Sequence, residues 1–232
     1  MRGKDFRRLI IVFTSISIGF ILALSEKLIS KKVDSLLPES NKVYIFSRPG
    51  TISILSTKGE IIQTIGPATR NKVIEGKMPL LIKQAFIASE DRRFYKHDGL
   101  DLWGITRAIK HNFNERSIQE GGSTITQQLA RIVFLNQNKT IARKVKEAAL
   151  ALKLERQLTK EEILEQYLNN VYLGSSAYGI SDAAWVYFSK SPDLLSLQEV
   201  ALIAGLAPAP SLYSPLVNPT LALKRRSIIL NR

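Results

Sequence analysis

The hydrophobic pattern begins with Leu9 to Leu24 (LIIVFTSISIGFILAL), which holds no charged residue. As a helix of about 16 residues it covers roughly 24 Å, slightly short of the ~30 Å hydrocarbon core of a bilayer. Flanking side chains absorb so small a mismatch. Arg2, Lys4, Arg7 and Arg8 precede the run against Asp5, an arrangement that keeps the N-terminus cytoplasmic and puts the rest of the chain outside. A cleavable signal peptide is the rival reading, but Ala23-Leu24-Ser25 makes a poor cleavage site. The pattern therefore predicts a cytoplasmic tail over 1–8 and an uncleaved transmembrane anchor over 9–25.

Residues 26–66 read as a linker and a β-prone lead-in. Val43-Tyr44-Ile45-Phe46, Thr51 to Leu55 and Glu60 to Ile65 favour strands, with Arg48-Pro49-Gly50 and Lys58-Gly59 as turns. From Pro79 the texture is helical, and 67–232 is the expected main domain. Pro79 suits a helix start ahead of Leu80-Leu81-Ile82 and Ala85-Phe86-Ile87-Ala88. Leu102, Ile105 and Ile109 share a face, and polar Asn112 to Glu120 predicts a mobile loop. Ile141, Val145, Ala148 and Leu152, spaced by four, three and four, predict the apolar face of a long helix. Three capping boxes mark helix starts: Thr124 with Gln127, Thr159 with Glu162 and Ser196 with Glu199. The last precedes Val200-Ala201-Leu202-Ile203-Ala204, after which Pro210, Pro215 and Pro219 forbid a long helix until Leu221.

Composition narrows the chemistry. The 232 residues carry a formal net charge of +13, which suits an anionic partner such as nucleic acid, a membrane surface or a phosphorylated substrate. No base-reading motif and no aromatic platform lies among the basic residues, which argues against nucleic acid. There is no cysteine, so disulfides and thiolate metal sites are excluded. His97 and His111 are too few for a histidine-built metal site, and any metal would be a hard cation held by carboxylates and phosphate.

Two clusters carry candidate chemistry. Glu90-Asp91-Arg92-Arg93-Phe94, followed by His97, Gly99 and Asp101, ends an apolar helix. A carboxylate there is partly desolvated, and its pKa moves toward the range of a general base. The bland alternative is a helix end spilling into a solvated turn. The second cluster is Arg131, Lys139, Arg143, Lys144 and Lys146 with Glu147, in which Arg143 and Lys144 both neighbour Glu147 on one helix. It reads either as an exposed basic face or as a cationic wall for phosphate. A helix mouth after Gly121-Gly122 would add bare amides to that wall. A sugar leaving as an alkoxide needs a general acid, whereas a departing diphosphate needs cations. The basic cluster thus favours glycosyl transfer from a lipid diphosphate over hydrolysis of a sugar chain.

These segments resemble the family-51 peptidoglycan glycosyltransferases, the module at the front of class A penicillin-binding proteins. Five blocks match in order: Glu90 to Phe94 with His97, Gly99 and Asp101; Gly121 to Gln128; Arg143 to Glu147; Ile163-Leu164 with Tyr167-Leu168-Asn169 and Gly174; and Arg225-Arg226 with Ile229-Leu230. The resemblance implies a mainly α, lysozyme-like glycosyltransferase domain with a smaller jaw lobe, behind a single transmembrane helix and a short β-prone segment. It implies that Glu90 is the general base toward the 4-hydroxyl of lipid II and that Glu147 is the second functional carboxylate. Ser123, Thr124, Gln127 and Gln128 would shape the cleft. Arg131, Lys139, Arg143, Lys144 and Lys146 would bind the diphosphate. Asp91 and His97 are expected to be structural, and Tyr167, Leu168 and Asn169 to hold the fold. The implied partners are lipid II, the growing glycan, the membrane and cell-wall elongation or division proteins. The implied location is the bacterial plasma membrane, with the domain on its periplasmic or extracellular side. A divalent cation (Mg or Mn), with Glu147 as its candidate ligand, is the only cofactor the resemblance suggests. Arg131 and Lys139 depart from the family's usual lysine and arginine at those places. No Ser-x-x-Lys and no Lys-Thr-Gly occurs, so no transpeptidase domain is expected in these residues. A truncated class A chain is the expectation. An inactive or scaffold-like copy and a lysozyme-like hydrolase are the alternatives.

Overall fold

The computed structural model describes residues 37–39, 52–65, 72–73, 76–104, 106, 122–135 and 140–232. The anchor expected at 9–25, the segment Val43 to Phe46, Ile105, Ile109, the loop Asn112 to Glu120, Gly121 and Lys139 lie outside the described residues. The chain divides into two compact units, residues 1–39 and 40–232. Of the first unit only 37–39 is described, an irregular stretch. No helix among the described residues is long and apolar enough to cross a membrane.

The second unit opens with β1 (Ile52–Leu55) and β2 (Ile61–Ile65), an antiparallel pair in which Ile52 faces Ile65 and Ile54 faces Gln63. Lys58-Gly59 does form the turn. Ser56 Oγ accepts from the amides of Lys58 and Glu60, and Gly59 takes φ +82°.

The rest is helical. Among the described residues the main elements are α1 (Leu80–Glu90), α2 (Ile125–Phe134), α3 (Ile141–Gln157), α4 (Lys160–Asn170), α5 (Gly179–Phe188), α6 (Leu197–Leu206), the single turn α7 (Pro210–Tyr213) and α8 (Pro219–Leu230). All three capping boxes form as the sequence predicts, at Thr124, Thr159 and Ser196, each satisfying two amides that a helix start would otherwise leave open. The α6 helix is buried on every side from Val200 to Leu206 and serves as the central post, with α1 and α8 packed on it. On the other side, α2 packs on α3 and α4. Ile82 and Phe86 of α1, Ile125 and Leu129 of α2, and Ile163, Leu164, Tyr167 and Leu168 of α4 are fully buried, with the Phe86 and Tyr167 rings edge to face at 6.3 Å.

Three expectations change. The predicted apolar face of α3 is not its core face: Ile141 is 86% and Val145 64% exposed. The helix instead buries Glu147, Leu150, Ala151, Lys153 and Leu154. An ion-paired carboxylate has taken the inward position that an apolar pattern would assign to aliphatic residues. Second, α5 starts at Gly179, in a stretch where the pattern marks no helix. Third, α8 starts at Pro219 rather than Leu221, because proline is tolerated in the first helical turn.

Gly179 is where backbone freedom is indispensable. Its φ is +80°, and a Cβ there would lie 2.4 Å from the Asn169 carbonyl oxygen. Gly179→Ala is expected to cost ~2 kcal/mol or more, from φ strain plus a clash that backbone cannot relieve. Urea unfolding of the variant measures it, and a midpoint equal to wild type would contradict the account.

Candidate active site

Asp91 is the first residue past α1, and its buried carboxylate joins three segments. His97 Nε2 lies 3.1 and 3.0 Å from its two oxygens. The amide of Ile125, at the start of α2, donates to Oδ2 at 3.1 Å. Gly99 N–H donates to His97 Nδ1 at 3.2 Å, so the imidazole carries its proton on Nε2, toward Asp91. Thr124 Oγ closes the ring by donating to the Gly99 carbonyl at 2.6 Å. Gly99 itself has φ +94° and packs against the α3 backbone, where a Cβ would meet the Ala151 oxygen at 3.0 Å. Lys160 pins the same turn, donating to the His97 carbonyl at 2.6 Å and lying 4.5 Å from the centre of the Phe94 ring.

The bare helix mouth expected after Gly122 is therefore not bare. The amides of Thr124 and Gln127 serve the capping box, and that of Ile125 serves Asp91. Asp91 already supplies the negative charge that the positive end of a helix dipole attracts.

Glu90 is thereby aimed into a cavity of about 470 Å³, walled by Ser89 to Arg93, by Gly122, Ser123, Thr124, Gln128 and Arg131, and by Tyr213 and Arg225. Burial pushes the Glu90 carboxyl above the usual carboxylate range, and Asp91 beside it adds to the rise. Opposing this, Gln128 Nε2 donates to Oε2 at 2.9 Å, Ser89 Oγ lies 3.1 Å from Oε1, and Arg225 lends positive charge. The Ser89 hydroxyl has one proton and a second acceptor, the Ala204 carbonyl at 2.9 Å. As the last residue of α1, Glu90 also sits at the negative end of that helix.

The basic cluster is built around Glu147, which is 0% exposed. Arg143 Nη1 donates to Glu147 Oε2 at 2.7 Å, and Lys144 Nζ bonds Oε1. Lys144 also donates to Ser123 Oγ at 2.8 Å. Ser123 lines the Glu90 cavity; Arg143, Lys144 and Glu147 do not. Glu147 thus lies outside the Glu90 cavity and is linked to its wall through Lys144 and Ser123. Arg131 lines the cavity, Lys146 is exposed, and Gln127 is buried in its capping role. Tyr167 and Asn169 hold the fold as expected: Asn169 pairs with both the amide and the carbonyl of Val73, at 2.9 and 3.1 Å.

Sequence reasoning gave no site role to Ser89, Tyr213 or Arg225. Arg225 lies in the last matched block, and its guanidinium carbon stands 5.7 Å from the Tyr213 ring centre. Only the packing of α8 on α6 brings it to Glu90. For the divalent cation, both Glu147 oxygens are already engaged, and no three His, Asp or Glu gather among the described residues. Among the described residues the protein groups do not form a metal cage.

A helical domain with an enclosed carboxylate and adjoining cations has clear relatives. The transglycosylase family matches residues 58–232. Penicillin-binding protein 1A of Neisseria cinerea is 44% identical over 195 residues, 84% of this chain and 24% of that protein. Penicillin-binding protein 1A of Aquifex aeolicus is 45% identical over 196 residues, 84% of this chain and 27% of that protein. A 2.6 Å crystal structure of penicillin-binding protein 1A from Haemophilus influenzae aligns with 80% of this chain and 18% of its own, at TM-score 0.41 and 23% identity. The chain belongs to the transglycosylase family. It spans about a quarter of the length of the curated relatives it matches.

Folding raises the Glu90 pKa, so the folded state holds that proton more tightly than the unfolded chain. The ionised carboxylate therefore costs stability, a cost absent below the ordinary value of 4.5 and growing as pH climbs through the raised one. Glu90→Gln removes the charge. The variant should melt above wild type at about pH 8 and converge with it near about pH 4. A pH-independent difference in melting temperature would contradict the assignment.

Proposed function

We propose that this chain is a peptidoglycan glycosyltransferase that polymerises lipid II, with Glu90 as general base. The observation that carries the reading is the Glu90 carboxylate: enclosed, shifted upward by burial, held by Gln128 and open to a cavity with Arg131 on its wall. A carboxylate of raised pKa is the stronger base, and the Gln128 and Ser89 donors favour its ionised form against burial.

In this reading the acceptor sugar's 4-hydroxyl gives its proton to Glu90 as the oxygen bonds the donor's anomeric carbon. The anomeric carbon–oxygen bond breaks with inversion, and undecaprenyl diphosphate leaves with the electron pair. Cations replace a general acid on the leaving side. Arg131 is in the cavity, and Lys144, tethered to Ser123, stands at its margin beside Arg143. Glu147 orients those two side chains from beneath, which accounts for a buried carboxylate next to a phosphate site. The anchor over 9–25 would hold the domain at the membrane, where the lipid substrate resides. The exposed Leu102, Trp103, Ile141 and Val145 are the apolar residues we assign to the bilayer surface.

Incubating detergent-solubilised protein with labelled lipid II and a divalent cation tests the reading. Wild type should make long glycan, and Glu90→Gln should be slower by about 10²-fold or more. Equal polymerisation by both would overturn the role of Glu90. Cleavage of finished peptidoglycan that does not depend on Lys144 or Arg143 would favour a hydrolase, and absence of any turnover would favour a scaffold.

A further inference from the structure

Tyr167 has a fully buried ring on α4, yet its hydroxyl lies 3.2 Å from Gln128 Oε1. The other end of that amide, Nε2, is 2.9 Å from Glu90 Oε2. Three helices, α4, α2 and α1, therefore meet in a chain of two hydrogen bonds that ends on the carboxylate.

A glutamine amide is ambidextrous: turned by half a revolution it presents an acceptor where it had a donor. Facing Glu90 with Nε2 stabilises the carboxylate, while facing it with Oε1 sets two acceptors against each other unless the carboxyl is protonated. A phenol donates more readily than it accepts, so the Tyr167 hydroxyl favours Oε1 on its own side and Nε2 on the side of Glu90. The bond also polarises the amide and strengthens the one it makes to Glu90. Among the described residues the other side-chain donor to Glu90 is Ser89, which divides a single proton between Glu90 and Ala204 and so cannot replace the amide.

We propose that Tyr167 is a positioning residue for Glu90, fixing through Gln128 which end of the amide meets the carboxylate. The inference rests on the reading of Glu90 as the base, and it adds a residue that acts without touching substrate. The charged groups facing Glu90 are Asp91 on its own segment, Arg131 on α2 and Arg225 on α8, with Arg92, Arg93, Asp101 and Arg232 further round the wall. Among the described residues α6 adds no charge to that wall. Removing the Tyr167 hydroxyl alters none of these charges.

The experiment is a titration of the Glu90 carboxyl carbon by NMR in protein labelled with ¹³C-glutamate, the signal being assigned by its loss in Glu90→Gln. In Tyr167→Phe the titration midpoint should rise by about half a pH unit or more, the size expected for one lost hydrogen bond. The acid limb of the lipid II rate profile should move by the same amount. Replacing Tyr167 with 3-fluorotyrosine keeps the shape and makes the phenol a stronger donor, so the midpoint should fall; this variant decides the matter if the phenylalanine protein does not fold. Unchanged midpoints overturn the inference. The titration reads no turnover, so it separates failure of this link from failure of the catalytic reading, which Glu90→Gln tests.

Discussion

The architecture of the site depends on the buried carboxylate of Asp91. It leaves α1 at the point where the helix stops, takes the imidazole of His97 from the following turn, and takes the first free amide of α2. A desolvated carboxylate is tolerable only when its lone pairs are filled, and here they are filled by groups from two other segments. Those partners fix the angle between α1 and α2. Glu90 precedes Asp91 by one residue and Gln128 follows Ile125 by three, so the contact between them is inherited from the anchoring next door. The anchored acid determines where its neighbour, the acid that faces the cavity, points.

The same economy shapes the ion cluster around Glu147. Glu147 is placed on the inward face of α3, and its charge is matched by Arg143 and Lys144 one turn back toward the solvent. A buried ion cluster of this kind is weak evidence for stability, since desolvation offsets much of its attraction. What it provides is direction: Lys144 is drawn inward far enough to reach Ser123, and that bond ties the ion cluster to the wall of the Glu90 cavity.

Much of this is legible in the sequence, for reasons that can be named. Capping boxes are local chemistry, and all three form where the sequence places them. Glu90 stands out because a carboxylate that ends an apolar helix loses solvent wherever that helix packs. Periodicity misses the inward face of α3, because it counts apolar residues and cannot know that an ion pair will take the core side. The Ile125 amide at the start of α2 looks open in the sequence, because the carboxylate that fills it lies 34 positions earlier. Arg225 and Tyr167 are invisible as neighbours of Glu90 for the same reason: contact across such separations is a product of packing.

The complete enclosure of Glu147 has a practical corollary for genetics. Losing that side chain removes a buried ion pair with Arg143 and frees Lys144, which is already half exposed, so the variant loses packing and the orientation of both cations together. A mutant collection scored by activity alone would not distinguish a change at Glu147 that unsettles the fold from one that alters the site. The soluble yield of each mutant separates a folding defect from a defect of the site.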